Sequence, residues 1–187
     1  MHHGHPHSRR RWLRRALGLG GAGVLLPLAS LPARAALPPG ERSIAMSHLH
    51  TRERIATVYA VDEQFVPSAL GSLNRFLRDH YSGEVGTMDP QLYDLLLRVR
   101  RELGVERPFE IISGYRSPAT NEHLRTSRGG GVARRSLHMD GRAVDVRLPG
   151  VSLSDLRDAA VSLKAGGVGY YPGENFVHID TGRVRRW

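Results

Sequence analysis

An α+β fold is what this sequence predicts, and three observations carry it. Helical periodicity is concentrated in two stretches between Gln64 and Gly104. Short extended segments bounded by glycine and proline dominate after Arg142. Helices are thus grouped before strands, which argues against the regular β–α alternation of an α/β sheet.

The first thirty-five residues read as an export address rather than as part of the fold. Ser8-Arg9-Arg10-Arg11-Trp12-Leu13-Arg14 carries a twin-arginine pair followed by bulky apolar residues, and an Ala/Leu/Gly/Val run extends from Ala16 to about Pro32. Ala33-Arg34-Ala35 is a small-x-small cleavage signal, so the expected mature start is Ala36. The arginine pattern resembles signals of the twin-arginine pathway, which predicts a periplasmic protein. Glycines and Pro27 inside the run argue against a stable spanning helix, hence against membrane insertion after cleavage. The predicted organisation is a signal over 1–35, a tether over 36–43 and a single domain over 44–187.

Removing the signal changes the electrostatics. The full chain carries 27 basic and 18 acidic residues, net +9. Six arginines lie in residues 1–35, which leaves 21 basic against 18 acidic residues, or +3. Much of the high pI of about 10.9 is therefore export label, and a nucleic-acid partner is not expected. The absence of cysteine rules out disulfides and thiol nucleophiles, including the cysteine chemistry of L,D-transpeptidases.

Within the domain, Ser43–His50 and Glu53–Tyr59 predict a hairpin. Gln64 to His80 places Phe65, Leu70, Leu73, Phe76 and Leu77 at helical spacing, with Pro67 near the start. Asp89-Pro90 opens a second helix with apolar positions Leu92, Leu95, Leu96, Val99 and Leu103, ended by Gly104. Phe109–Ser113 predicts a buried strand, Ser117-Pro118 starts a short helix, and Arg128–Gly131 is a flexible loop. Arg142–Leu148 predicts a strand, and Ser152 or Ser154 starts a helix to about Lys164. Gly166–Tyr170, Asn175–Asp180 and Arg183–Trp187 read as closing strands of an antiparallel sheet.

The chemistry sits in Ser136-Leu-His138-Met-Asp-Gly141-Arg-Ala143-Val-Asp145 and in Val177-His178-Ile179-Asp180. Strand alternation points Asp145 away from Val144 and Val146, and a carboxylate there needs a cation or donors. Gly141 permits the reversal that brings His138 back beside the strand. Taken singly, Asp145 reads more readily as an arginine partner than as a ligand, and each histidine as an ordinary surface or core residue. Together, two imidazoles and one carboxylate form a set that can hold zinc and leave a fourth position open for water, the arrangement of a zinc hydrolase.

The spacing Ser136-x-His138-x-x-Gly141-x-Ala143-x-Asp145 is similar to the zinc signature of the D-alanyl-D-alanine carboxypeptidase and dipeptidase superfamily, which includes lysostaphin-like and hedgehog-like folds. Ser113-Gly114-Tyr115-Arg116-Ser117, Gly166–Pro172 and the His178-Ile-Asp180 ending resemble the branch of twin-arginine-exported murein endopeptidases more closely. The resemblance implies a small antiparallel sheet carrying zinc, flanked by helices. It implies His138, Asp145 and His178 as ligands, and Arg116 as the residue that orients substrate near the metal. It also implies a peptidoglycan peptide as substrate.

One departure stands out. The dipeptidase branch carries a catalytic glutamate three residues before the last histidine ligand, and here that position is Asn175. Two carboxylates substitute as general base: Asp180, about 6.5–7 Å along the strand from His178, and Glu174. Asp180 is preferred. The function expected is hydrolysis of amide bonds in peptidoglycan stems or cross-links. The alternative is a non-catalytic, zinc-stabilised module that binds wall peptides or a protein partner.

Overall fold

The structure is a computed structural model that describes residues 40–127 and 132–187. The export segment, residues 36–39 of the tether and the 128–131 loop lie outside those residues, and Glu41–Ser43, expected in the tether, belong to the first strand. Twelve elements follow in order: β1 (Glu41–His48), β2 (Arg54–Val61), β3 (Gln64–Phe65), α1 (Pro67–Phe76), α2 (Gln91–Glu102), β4 (Phe109–Ser113), α3 (Pro118–Ser127), β5 (Ala143–Arg147), α4 (Leu153–Ser162), β6 (Gly167–Tyr171), β7 (Phe176–Asp180) and β8 (Arg185–Arg186).

The class is α+β as predicted, but the sheet is neither small nor purely antiparallel. Eight strands form one mixed sheet in the order β3-β2-β1-β4-β5-β7-β6-β8. β1 runs parallel to β4, with Met46 opposite Phe109, and β6 runs parallel to β8, with Gly167 opposite Arg185. A parallel neighbour requires a long crossover. β2, β3, α1 and α2 together supply the one between β1 and β4. The closing segment also departs from expectation, because β8 is parallel to β6. Helices α3 and α4 fall between strands, where the Ser117-Pro118 and Ser152 signals placed them.

Local chemistry explains most element ends. The hairpin forms as expected, with Ser43 opposite Val58 and Met46 opposite Ile55. Gln64 and Phe65 are extended rather than helical, and α1 begins at Pro67. Proline disfavours helical backbone at the residue before it, and Val66 accordingly has ψ of 106°. Asp89 Oδ1 accepts the Gln91 N–H at 3.0 Å at the start of α2. Ser117 Oγ accepts the Thr120 N–H at 3.2 Å, and Ser152 Oγ accepts the Asp155 N–H at 3.1 Å. The two serine bonds are side-chain caps that leave fewer helix N–H groups unpaired, whereas the N-cap of α2 is Pro90, which has no such bond.

One apolar core joins the helices to one face of the sheet. Leu73 of α1, Leu92 and Leu96 of α2, and Leu156 of α4 cluster with Val144, Val146, Val177 and Ile179. Each such side chain, fully buried, contributes about 1.5–3 kcal/mol. Because Val144 and Val146 of β5 and Val177 and Ile179 of β7 point into this core, alternation sends Asp145, His178 and Asp180 to the opposite face.

Candidate metal centre

Asp145 and His178 are directly opposite each other in the antiparallel β5–β7 pair. Side chains so paired have Cβ atoms about 4.5–5.5 Å apart, close enough to share a ligand. His138 arrives from the Ser136–Arg142 turn, wound by Met139 N–H to Ser136 O (3.0 Å) and Arg142 N–H to Leu137 O (2.9 Å). Gly141 makes the turn possible with φ of +64°, and a Cβ there would collide with the Thr87 carbonyl. The Arg116 N–H, donating to His138 O at 3.2 Å, pins this turn to the end of β4.

The ring nitrogens have assigned roles because their outer partners can only accept. Gly114 O lies 2.7 Å from His138 Nδ1, so Nδ1 carries the proton and Nε2 presents a lone pair. Asp180 Oδ2 lies 3.1 Å from His178 Nε2, so that nitrogen donates and Nδ1 faces inward. His138 Nε2 is 3.2 Å from His178 Nδ1 and 3.2 Å from Asp145 Oδ1, and His178 Nδ1 is 2.9 Å from Asp145 Oδ1.

Three acceptor atoms thus meet at 2.9–3.2 Å, where a proton or a cation is needed to hold them together. Zinc bonds of 2.0–2.2 Å in a tetrahedron separate neighbouring ligand atoms by about 3.3–3.6 Å, only slightly more than these distances. His138, Asp145 and His178, all buried, could therefore hold a divalent ion. The electrostatics agree. Burial lowers the His138 pKa despite the nearby Asp145 carboxylate. Burial also disfavours charge on His178, but Asp145 and Asp180 outweigh it and raise its pKa to about 9. Burial acts to raise the Asp145 pKa, yet His138 and His178 hold it well below the usual carboxylate range.

The other sequence-predicted residues fall into distinct places. Arg116 Nη2 is 3.5 Å from Asp145 Oδ2, the oxygen turned away from the histidines, and Arg116 Nη1 donates to Asn121 Oδ1 at 3.4 Å. Asp180 is fully buried and surrounded by donors. Its Oδ1 accepts from Gly167 N–H (3.0 Å), Gly182 N–H (2.8 Å) and Arg185 Nη1 (3.1 Å), and Oδ2 from Arg185 Nη2 (2.8 Å) and His178 Nε2. Burial would raise its pKa, but these donors keep it low. Glu174 is exposed, sits in the β6–β7 turn and lines the groove that contains the metal-ligand candidates. Asn175 takes φ of +58° in that turn.

The groove has a volume of about 680 Å³. One end is lined by His50, His80 and Tyr81 and the other by Tyr171, Phe176 and Trp187. Sequence reasoning passed over His50, His80 and Trp187. Neither histidine has a spacing that links it to the Asp145 segment. Trp187 reads in sequence only as the end of a closing strand.

An open-sided His–Asp–His set at the floor of a groove is what a metal-dependent hydrolase requires. The family described as Peptidoglycan L,D-endopeptidase MepK matches residues 36–187. The chain belongs to that family, within the D-alanyl-D-alanine carboxypeptidase-like superfamily that the Ser136–Asp145 signature resembled. Among its relatives, the Peptidoglycan L,D-endopeptidase MepK of Escherichia coli (strain K12) is 43% identical over 175 residues, covering 93% of this chain and 96% of that protein. The Probable peptidoglycan L,D-endopeptidase MepK of Haemophilus influenzae is 36% identical over 184 residues, covering 96% and 95%. A solved structure, the Serratia marcescens L-Ala D-Glu endopeptidase ChiX, superposes with a TM-score of 0.34 at 21% identity, covering 55% of this chain and 73% of that one.

Proposed function

We propose that this protein is a periplasmic peptidase that hydrolyses amide bonds in the peptide stems or cross-links of peptidoglycan, using zinc held by His138 Nε2, Asp145 Oδ1 and His178 Nδ1. The observation that carries this reading is the convergence of three lone-pair donors at 2.9–3.2 Å, with both tautomers set from outside. The family relationship supports peptidoglycan as substrate and an endopeptidase reaction. The Ser8–Arg14 and Ala33–Ala35 patterns support export by the twin-arginine pathway.

Zinc, when bound, supplies Lewis-acid polarisation and brings the pKa of its water down to about 7. The protein's residues do the rest. Arg116, a fixed planar donor at the edge of the groove, orients the substrate carbonyl or a carboxylate and stabilises developing negative charge. Glu174, facing the groove, takes the proton from the attacking water and delivers it to the leaving amine. Asp180 acts through His178: its carboxylate holds the Nε2 proton and keeps Nδ1 turned to the site, as an outer carboxylate does for a ligating histidine. With both oxygens engaged by donors, Asp180 is poorly placed to be the general base, and Glu174 is the better candidate.

The non-catalytic reading draws on Asn175 at the glutamate position of the dipeptidase branch. Glu174, one residue earlier and on the groove, supplies the missing carboxylate. Incubating the protein with cross-linked muropeptides, with zinc and with chelator, tests the two. Metal-dependent cleavage detected by mass spectrometry is the expected result. Retained zinc with intact muropeptides would instead select the binding module.

A further inference from the structure

The wall of the groove beside His178 holds a large aromatic residue in a costly position. Trp187 is 49% exposed, yet it is fixed on several sides. Its N–H donates to Val168 O at 3.2 Å, and its O accepts from Tyr170 N–H at 3.0 Å. Its indole Nε1 donates to Tyr171 Oη at 2.7 Å, and the Arg185 guanidinium lies 4.8 Å from its ring centroid. The ring centroid is 5.3 Å from that of His178. Gly169, directly opposite His178 in the β6–β7 pair, seats the indole. A Cβ at Gly169 would come within 2.7 Å of the indole and 2.8 Å of the Tyr171 ring.

Leaving a tryptophan about half exposed forgoes hydrophobic free energy, and fixing its orientation costs side-chain entropy. A structural role alone would favour burial. A rigid aromatic face next to the reacting groups is suited to binding, since it loses little further freedom when a ligand covers it. Behind it, Tyr171 and Phe176 stack at 4.6 Å and extend the same wall along the groove.

We propose that Trp187 is a substrate-contacting residue, whose exposed indole face packs against the aliphatic part of the peptide residue flanking the scissile amide. This rests on the peptidase reading above and adds a specificity determinant to it. Trp187 does not hold the metal, so its contribution falls on substrate affinity. Trp187→Ala is expected to raise KM for a cross-linked muropeptide about tenfold, with kcat changed less than about threefold and zinc affinity unchanged. Trp187→Phe, which keeps an aromatic face, recovers part of the loss. An unchanged KM, or a loss confined to zinc affinity, would overturn the proposal.

A second measurement does not depend on a variant of Trp187. The chain has two tryptophans, so Trp12→Phe in the full chain leaves Trp187 as the only indole. Rapid mixing of this zinc-loaded protein with a purified cross-linked muropeptide should give a saturable emission change before product appears. Product formation with unmoved emission overturns the contact. An emission change without any cleavage by the unaltered protein supports the contact and removes the peptidase reading instead.

Discussion

Two groups of histidines border the same groove and differ in almost every electrostatic respect. At the floor, His138 and His178 flank the carboxylate of Asp145, and a second carboxylate, Asp180, holds the far nitrogen of His178. At one end, His50 and His80 stack with centroids 4.2 Å apart and planes 4° from parallel, with His48 behind them. His48 Nδ1 accepts the His50 N–H at 3.2 Å, and its Nε2 is buried with no hydrogen bond among the described residues. The Glu53 carboxylate acts on His48 only as the weakest of the influences on its ring. Burial first, then the neighbouring imidazoles, lowers the His48 pKa to about 4, whereas His178 is raised to about 9. Stacked rings send their lone pairs along parallel lines, while rings held from behind by acceptors send them to one point. The number of histidines matters less than what stands behind each ring.

The largest expected effect comes from removing the carboxylate that distinguishes the two groups. Asp145→Asn should abolish zinc retention and peptidase activity, a loss well beyond the roughly 10–100-fold that an outer partner costs. Zinc content after dialysis and muropeptide cleavage measure it. Glu174→Gln should leave zinc content unchanged and lower kcat by about 10²–10⁴-fold, the range of general acid–base catalysis. If kcat survives that change, Asp180 returns as the candidate base. Asp180→Asn should weaken zinc binding about 10–100-fold, read by chelator competition, because the charged acceptor behind His178 Nε2 becomes a neutral amide.

The two groups should also respond to pH with opposite sign. In the metal-free protein, His178 is raised from 6.5 to about 9, so its stabilising contribution is complete below about 6.5 and is lost as pH rises through about 9. His48 is lowered to about 4, so the unfolded chain takes up its proton first, and stability falls as pH drops from about 6.5 to about 4. Zinc must displace the His178 proton, so zinc affinity should rise with pH up to about 9, by about tenfold per unit for one proton released. The smallest effect is expected from His48→Asn, which removes the titrating ring and should flatten the acid limb of a melting-temperature profile without changing zinc affinity.

How much of this was legible in the sequence depends on the range over which each signal acts. The pairing of β5 with β7 came only with the fold, but alternation turned Asp145 away from Val144 and Val146 and put His178 and Asp180 on one side of their own strand, because side-chain direction in a strand is a local property. The turn at Gly141 was readable for the same reason. The parallel pairing of β1 with β4 was not, since Met46 and Phe109 meet only after two helices fold back. The role of Asp180 was obscured because Gly167 and Arg185, which occupy its oxygens, come from two other strands whose pairing no local pattern reveals. Phe65 fitted a helical period, but Pro67 forces the preceding backbone to stay extended, and the local rule overrode the periodicity.

The placement of β5 and β7 inside an eight-stranded sheet has a consequence for how the centre opens. Both strands are hydrogen-bonded on each side, so their amides should exchange with solvent only when the sheet itself comes apart. His138 is carried instead on a seven-residue turn, whose release would free one arm of the set while the other two stay fixed. Entry and escape of an ion would then be timed by that turn and by little else in the molecule.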